Sequence, residues 1–167
     1  MPNNLTVKFD EVVNEHGQGI YRWCKAYYGL GPDLDDLYQE VLINVWKALG
    51  SFRGDSKLST WIYRITINTA ITYGRKQSKN RLKESGLNDE YLTDDRSDKE
   101  EKIRKELQYQ QLLKAITRLK PDQRMIIGLY LEDLSYKEIA EVIGKDTNYI
   151  GVKINRIKEK LTKLMQS

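Results

Sequence analysis

Apolar side chains recur at three- and four-residue spacing along most of the chain, the period of an α-helix that buries one face. Phe9, Val12, Val13, Ile20, Trp23, Cys24 and Tyr27 mark a first helix from about Phe9 to Tyr28, which Gly29-Leu30-Gly31-Pro32 breaks. Asp33 is a suitable N-cap for a second helix, whose stripe is Leu34, Leu37, Val41, Leu42, Val45 and Leu49. Gly50 to Ser56 reads as a loop. A third helix from about Leu58 to Lys79 buries Leu58, Trp61, Ile62 and Ile65, then turns basic through Arg75, Lys76, Lys79 and Arg81.

Periodicity then fades until Ile103 and resumes in a helix through Leu107, Leu112, Leu113, Ile116 and Leu119. Pro121 both breaks that helix and suits the first position of the next, whose apolar side is Met125, Ile126, Leu129 and Tyr130. Ser135-Tyr136-Lys137-Glu138 is a capping-box pattern opening a short helix from Tyr136 to Ile143. Gly144 ends it, Asp146 or Thr147 caps the last helix, and Ile150, Ile154, Ile157, Leu161 and Leu164 form that helix's buried stripe. The expected fold is all-α: two small helical domains over 1–81 and 105–167, joined by a flexible acidic linker over 82–104.

Charge sharpens this division. Leu82 to Arg104 holds eight acidic and five basic residues, so a net charge of +4 for the chain leaves +7 on the two helical blocks. Basic blocks separated by an acidic stretch fit polyanion binding, although a solvated helical surface gives a similar count. No apolar run approaches the roughly 20 residues of a membrane span, and Met1 to Lys8 lacks a signal peptide's apolar centre, so a cytoplasmic protein without membrane insertion is expected. Cys24 and His16 are the only residues of their kinds, which rules out an internal disulfide and a Cys/His zinc site within one chain. Cys24 reads as a small buried hydrophobe and His16 as a surface or boundary residue.

Two stripes carry candidate chemistry. The last two helices fit a helix-turn-helix, with Ala140 allowing close contact, Gly144 the turn and Ile150 anchoring the second helix. That helix would enter a major groove, presenting Asn148 and Tyr149 at its start and Lys153, Arg156 and Lys160 along a cationic stripe. On the third helix, Arg64, Asn68 and Arg75 share a stripe with Thr72 beside it, an amide for a base edge between cations for the backbone. The preceding loop, with Arg53, Ser56 and Lys57, is polar and could surround an unstacked base. The third-helix stripe could equally be surface charge, and the alternative for the last pair is an ordinary helical hairpin with a solvated lysine face.

Taken in order, Asp36-Leu37-Tyr38-Gln39-Glu40-Val41, Val45-Trp46-Lys47, Phe52-Arg53-Gly54-Asp55-Ser56 and Ser59-Thr60-Trp61-Ile62-Tyr63-Arg64-Ile65 resemble region 2 of extracytoplasmic-function sigma factors. Leu119, Pro121, Gln123-Arg124 and Ser135-Tyr136-Lys137-Glu138-Ile139-Ala140 resemble their region 4. The resemblance runs from about Phe9 to Leu164, apart from the linker, and implies three roles. Asp36, Gln39, Glu40 and Asn44 would dock on a coiled coil of core RNA polymerase. Arg53, Ser56, Lys57, Arg64, Asn68, Thr72 and Arg75 would capture and open the downstream promoter element. Asn148, Tyr149, Lys153, Arg156 and Lys160 would read the upstream element.

The resemblance also implies an anti-sigma factor as a partner beside core polymerase and promoter DNA. The recognition helix departs from the family where a Gly-Thr-Val-Lys-Ser-Arg-like run is common: Asn148-Tyr149-Ile150-Gly151-Val152-Lys153 stands there, so promoter bases cannot be borrowed from relatives. A stand-alone helix-turn-helix regulator is the rival reading, but it has no use for the Asp36, Gln39, Glu40 face. No nucleophile-base-orienter set, phosphate-binding glycine loop or metal cluster is legible, so no catalytic residue, metal, cofactor or small-molecule substrate is expected. Tyr38, Trp46 and the other aromatics could mark a protein-binding surface, but at these spacings most are expected in the core.

Overall fold

A computed structural model describes residues 4–80 and 99–167, with side chains over 8–77 and 99–167. Seven α-helices and one short 3-10 turn make up the described chain: α1 (Asn4–Tyr28), α2 (Leu34–Ala48), the turn Leu49–Ser51, α3 (Leu58–Asn80), α4 (Lys99–Thr117), α5 (Pro121–Leu131), α6 (Tyr136–Ile143) and α7 (Thr147–Gln166). Residues 81–98, most of the expected linker, lie outside the described residues, as does Arg81. Helix α4 begins at Lys99, inside the span read as linker, and its first turns are exposed, with Ile103 and Leu107 facing solvent. Leu107 is therefore not the core residue its spacing predicts. No helix of the described residues is long and apolar enough to cross a membrane.

Local chemistry explains most boundaries. The Ser135 hydroxyl accepts from the Glu138 N–H at 3.1 Å and the Glu138 carboxylate accepts from the Ser135 N–H at 2.7 Å, closing the capping box of α6. Gly144 ends α6 at φ +78°, a left-handed conformation that costs glycine little. Asp146 caps α7 by accepting from the Tyr149 N–H at 2.7 Å. Pro121 opens α5, and the N–H of Lys120 before it donates to Gln123 Oε1. Asp33 departs from expectation: its backbone is already helical and its side chain makes no capping bond to α2.

Helices α1 to α3 form one bundle around Ile20, Trp23, Leu37, Val41, Val45 and Ile62, and α4 to α7 form another around Ile116, Leu129, Ile139, Ile150, Ile154 and Ile157. Cys24 lies fully buried in the first, and that burial pushes its thiol up to about 12, so it stays protonated at neutral pH. The two bundles do not stand apart. Helix α5 packs on α1, and α6 on α3, so the buried side chains form one continuous cluster.

The junction is specific. The Trp23 indole N–H donates to the Met125 carbonyl at 3.3 Å, and the bare Cα of Gly128 lies against the same ring: a Cβ there would come within 2.9 Å of it. Arg22 grips Glu132 through two bonds of 2.9 and 2.8 Å, and that partner raises the guanidinium's pKa.

Candidate functional site

Helix α2 buries Leu34, Leu37, Val41 and Val45, which turns the opposite face to solvent. Asp36 and Gln39 stand on that open face, and Glu40 is half-buried at its edge, 3.9 Å from Lys76 of α3. Asn44 is turned toward α3 instead, where its Nδ2 donates to Thr69 Oγ1 at 3.0 Å, so it braces the helix pair. Two further apolar residues complete the open face. Ile43 is 49% and Trp46 52% exposed, on the same side as Asp36 and Gln39. Of the two placements open to the aromatics, Trp46 takes the surface and not the core, while Tyr38 is half-buried edge-on to Tyr21. The missed signal was available: Ile43 and Trp46 fall off the Leu34 to Val45 stripe.

The loop before α3 is pinned where Phe52 packs on Trp61, ring centroids 5.2 Å apart. This places Arg53, Ser56 and Lys57 beside the first turns of α3. Along α3, Ile62, Tyr63, Thr66, Ile67, Thr69, Ala70 and Tyr73 are buried, and Arg64, Asn68, Thr72 and Arg75 form an exposed row, as their spacing predicts. The Thr72 hydroxyl donates back to the Asn68 carbonyl at 2.9 Å.

Two members of this set are engaged by the second bundle. Lys57 Nζ lies 2.7 Å from Glu138, and the Arg64 guanidinium donates through Nε and Nη2 to the Glu141 carbonyl at 3.2 and 3.0 Å. The Glu138 carboxyl is held below the usual carboxylate range, first by the Lys57 ammonium and then by the Ser135 N–H, while Lys57 is raised by the same pair.

On α7 the buried Ile150, Ile154, Ile157 and Leu161 set the rotation. With 100° per residue, the middle of the free side falls on Val152, Arg156 and Glu159, with Asn148 and Asn155 adjoining; all five are exposed. Lys153 and Lys160 lie on a flank against α5, where Lys153 pairs with Asp122 at 2.9 Å and Lys160 reaches Gln123 Oε1 at 3.5 Å. The pair lowers the Asp122 carboxyl and raises Lys153. Tyr149 sits between Lys145 and Lys153, whose ammonium groups are 5.6 and 5.7 Å from its ring centroid. The sequence-predicted stripe is therefore split: Asn148 and Arg156 face outward, and the lysines are tethered.

Comparison with known proteins bears on what such faces do. The Sigma-70 region 2 family model matches residues 12–80, and the Sigma-70 region 4 model matches 109–161. The chain is 32% identical to the RNA polymerase sigma-H factor of Pseudomonas aeruginosa over 167 aligned positions, covering 95% of this chain and 86% of the relative. It is 32% identical to the ECF RNA polymerase sigma-E factor of Escherichia coli K12 over 142, covering 80% and 74%. The fold is similar to that of the sigma factor RpoE from Bartonella quintana, solved in complex with the anti-sigma factor NepR, at a TM-score of 0.75 and 22% identity over 95% of this chain and 97% of the other. With helical bundles matching both regions in order and relatives aligned along nearly the whole length, the chain belongs to the extracytoplasmic-function sigma factors of bacterial RNA polymerase.

Proposed function

We propose that this sigma factor directs core RNA polymerase to the promoters of a specialised regulon and helps open them, through three surfaces. Asp36, Gln39, Ile43 and Trp46, with Glu40 at the edge, dock on core polymerase; Asn44 acts by bracing α2 on α3. Arg53, Ser56, Lys57, Arg64, Asn68, Thr72 and Arg75 engage the downstream element, where capturing a flipped base must offset the few kcal/mol of unstacking it. The outward face of α7, including Asn148 and Arg156, reads the upstream element, with Tyr149, Lys153 and Lys160 alongside on the phosphates.

The observation that carries this reading is the open face of α2. An exposed isoleucine and tryptophan rimmed by carboxylate and amide are the composition of a protein-docking patch, and solvent alone gives them no stabilisation. A stand-alone regulator has no need of such a face. The protein works in the cytoplasm and catalyses no reaction of its own, the chemistry belonging to the polymerase. An anti-sigma factor as partner is supported by the relative solved with one and by the presence of functional faces on both bundles, which a single inhibitor can span.

Reconstituted transcription tests the proposal. Core polymerase with this protein, on a pool of genomic promoter fragments, should give protein-dependent starts that share two upstream motifs. Trp46→Ala should abolish them by loss of core binding, and Asn68→Ala should abolish them with core binding intact. Absence of any protein-dependent start would overturn the assignment.

A further inference from the structure

The centre of the outward face of α7 is aliphatic. Val152 is 49% exposed, between Asn148 one turn before it and Arg156 one turn after it. The neighbouring side chains are otherwise occupied: Lys153 is ion-paired to Asp122, and Tyr149 is flanked by Lys145 and Lys153. Gly151, just before Val152, is bare, although a Cβ there would meet only the Tyr136 ring at an ordinary 3.5 Å. Packing within the chain therefore does not require glycine at this position. The missing side chain instead leaves the flank of Val152 open to close approach by a ligand.

Val152 is outside the buried cluster of the described residues, and β-branching gives it no advantage as a helix former. Its chemistry does have a counterpart in the major groove. The thymine C5-methyl is the one apolar group on the base edges there, and small apolar side chains pack on it.

We infer that Val152 is a specificity-determining residue that reads a thymine methyl in the upstream promoter element. Four residues of helix rise about 6 Å, against about 3.4 Å between successive bases, so Asn148 and Arg156 reach bases roughly two steps to either side. Asparagine there is matched to adenine and arginine to guanine. The inference rests on the proposed role of α7 and adds the base chemistry it selects.

The test removes the methyl and nothing else. Once a protein-dependent promoter is mapped, fragments carrying deoxyuridine in place of each upstream-element thymine in turn are compared for complex formation with core polymerase and the full-length protein. One position should weaken the wild-type complex about fourfold, the worth of one methyl group returned to water. Val152→Ser, which puts a hydroxyl in place of the methyl groups and matches valine in helix propensity, should leave the unfolding midpoint in place and bind the thymine and uracil versions equally.

Wild-type indifference to uracil at every position would overturn the inference. So would a Val152→Ser protein that still discriminates, or one weakened equally on both DNAs with looser core binding, which would make Val152 a polymerase contact. If no protein-dependent promoter exists, the proposed function itself fails, an outcome distinct from all of these.

Discussion

Gly128 shows how much a single position can settle. Alanine is a better helix former by about 1 kcal/mol, yet its Cβ would stand 2.9 Å from the fully buried Trp23 ring, which also donates to the Met125 carbonyl. Overpacking of this kind costs about 1–3 kcal/mol, so Gly128→Ala should lower stability in urea unfolding followed by tryptophan fluorescence. A more stable variant would mean that the ring yields without cost. Trp46 is the converse case: with its ring half in water, Trp46→Ala should leave unfolding within about 0.5 kcal/mol of wild type. Affinity for core polymerase, measured by biolayer interferometry, should fall by about tenfold or more. Gly128 also marks where one-dimensional pattern loses its reach, because the ring it meets comes from another helix. Trp46 was legible as apolar, but whether an apolar residue faces core or solvent depends on where the helix's buried stripe lies, and Trp46 lies off it.

At the scale of elements, the caps of the helix-turn-helix were readable because they are chemistry between residues three apart. Ser135→Ala removes the acceptor for the Glu138 N–H and should cost about 1 kcal/mol in thermal unfolding, as should Asp146→Ala, which frees the Tyr149 N–H. Their functional consequences should differ. Asp146→Ala loosens the turn of α7 that carries Asn148 and Tyr149, and should weaken complexes dependent on the upstream element while core binding is unchanged. Glu138 adds a pH response. Its folded pKa is depressed below the ordinary 4.5, so its contribution is present above that value and is lost as pH falls through the lower folded one. Amide exchange at the start of α6 should accelerate over that acid window beyond the intrinsic rate change, and Glu138→Gln should remove the response. The row Arg64, Asn68, Thr72, Arg75 was likewise legible from helical spacing. The lysines of α7 were not placed correctly by spacing, because their partners Asp122 and Gln123 come from α5.

For the whole molecule, the notable arrangement is that Lys57 and Arg64, proposed promoter contacts of the first bundle, are engaged by α6 of the second. Donors that hold Glu138 and Glu141 are withdrawn from DNA, so the packed arrangement competes with promoter contact through these two residues. Arg22 and Glu132 fasten this arrangement. The Glu132 side chain is only 8% exposed while that of Arg22 is 52% exposed, so water screens one partner, and breaking the pair should cost about 1.5–3 kcal/mol. Glu132→Arg sets two guanidinium groups against each other and should separate the bundles. The separation would appear as a larger radius of gyration in small-angle scattering and tighter binding of a single-stranded promoter oligonucleotide. An unchanged radius would show that the apolar contacts around Trp23 hold the bundles together without the ion pair.

Pattern along the chain determined what local physics determines: helices from 3.6-residue periodicity, their ends from Ser135, Gly144, Asp146 and Pro121, the exposed row on α3, and two bundles in order. These depend on neighbours within a turn or two, which a sequence displays directly. Tertiary structure alone decided which outward faces stay free. It turned Asn44 onto Thr69, joined Arg22 to Glu132, tied Lys153 to Asp122, and closed α6 over Lys57 and Arg64. Each of these depends on a partner from another helix, up to about a hundred residues away for Arg22 and Glu132. Such a partner is chosen by how whole helices pack, which spacing within any one of them does not encode.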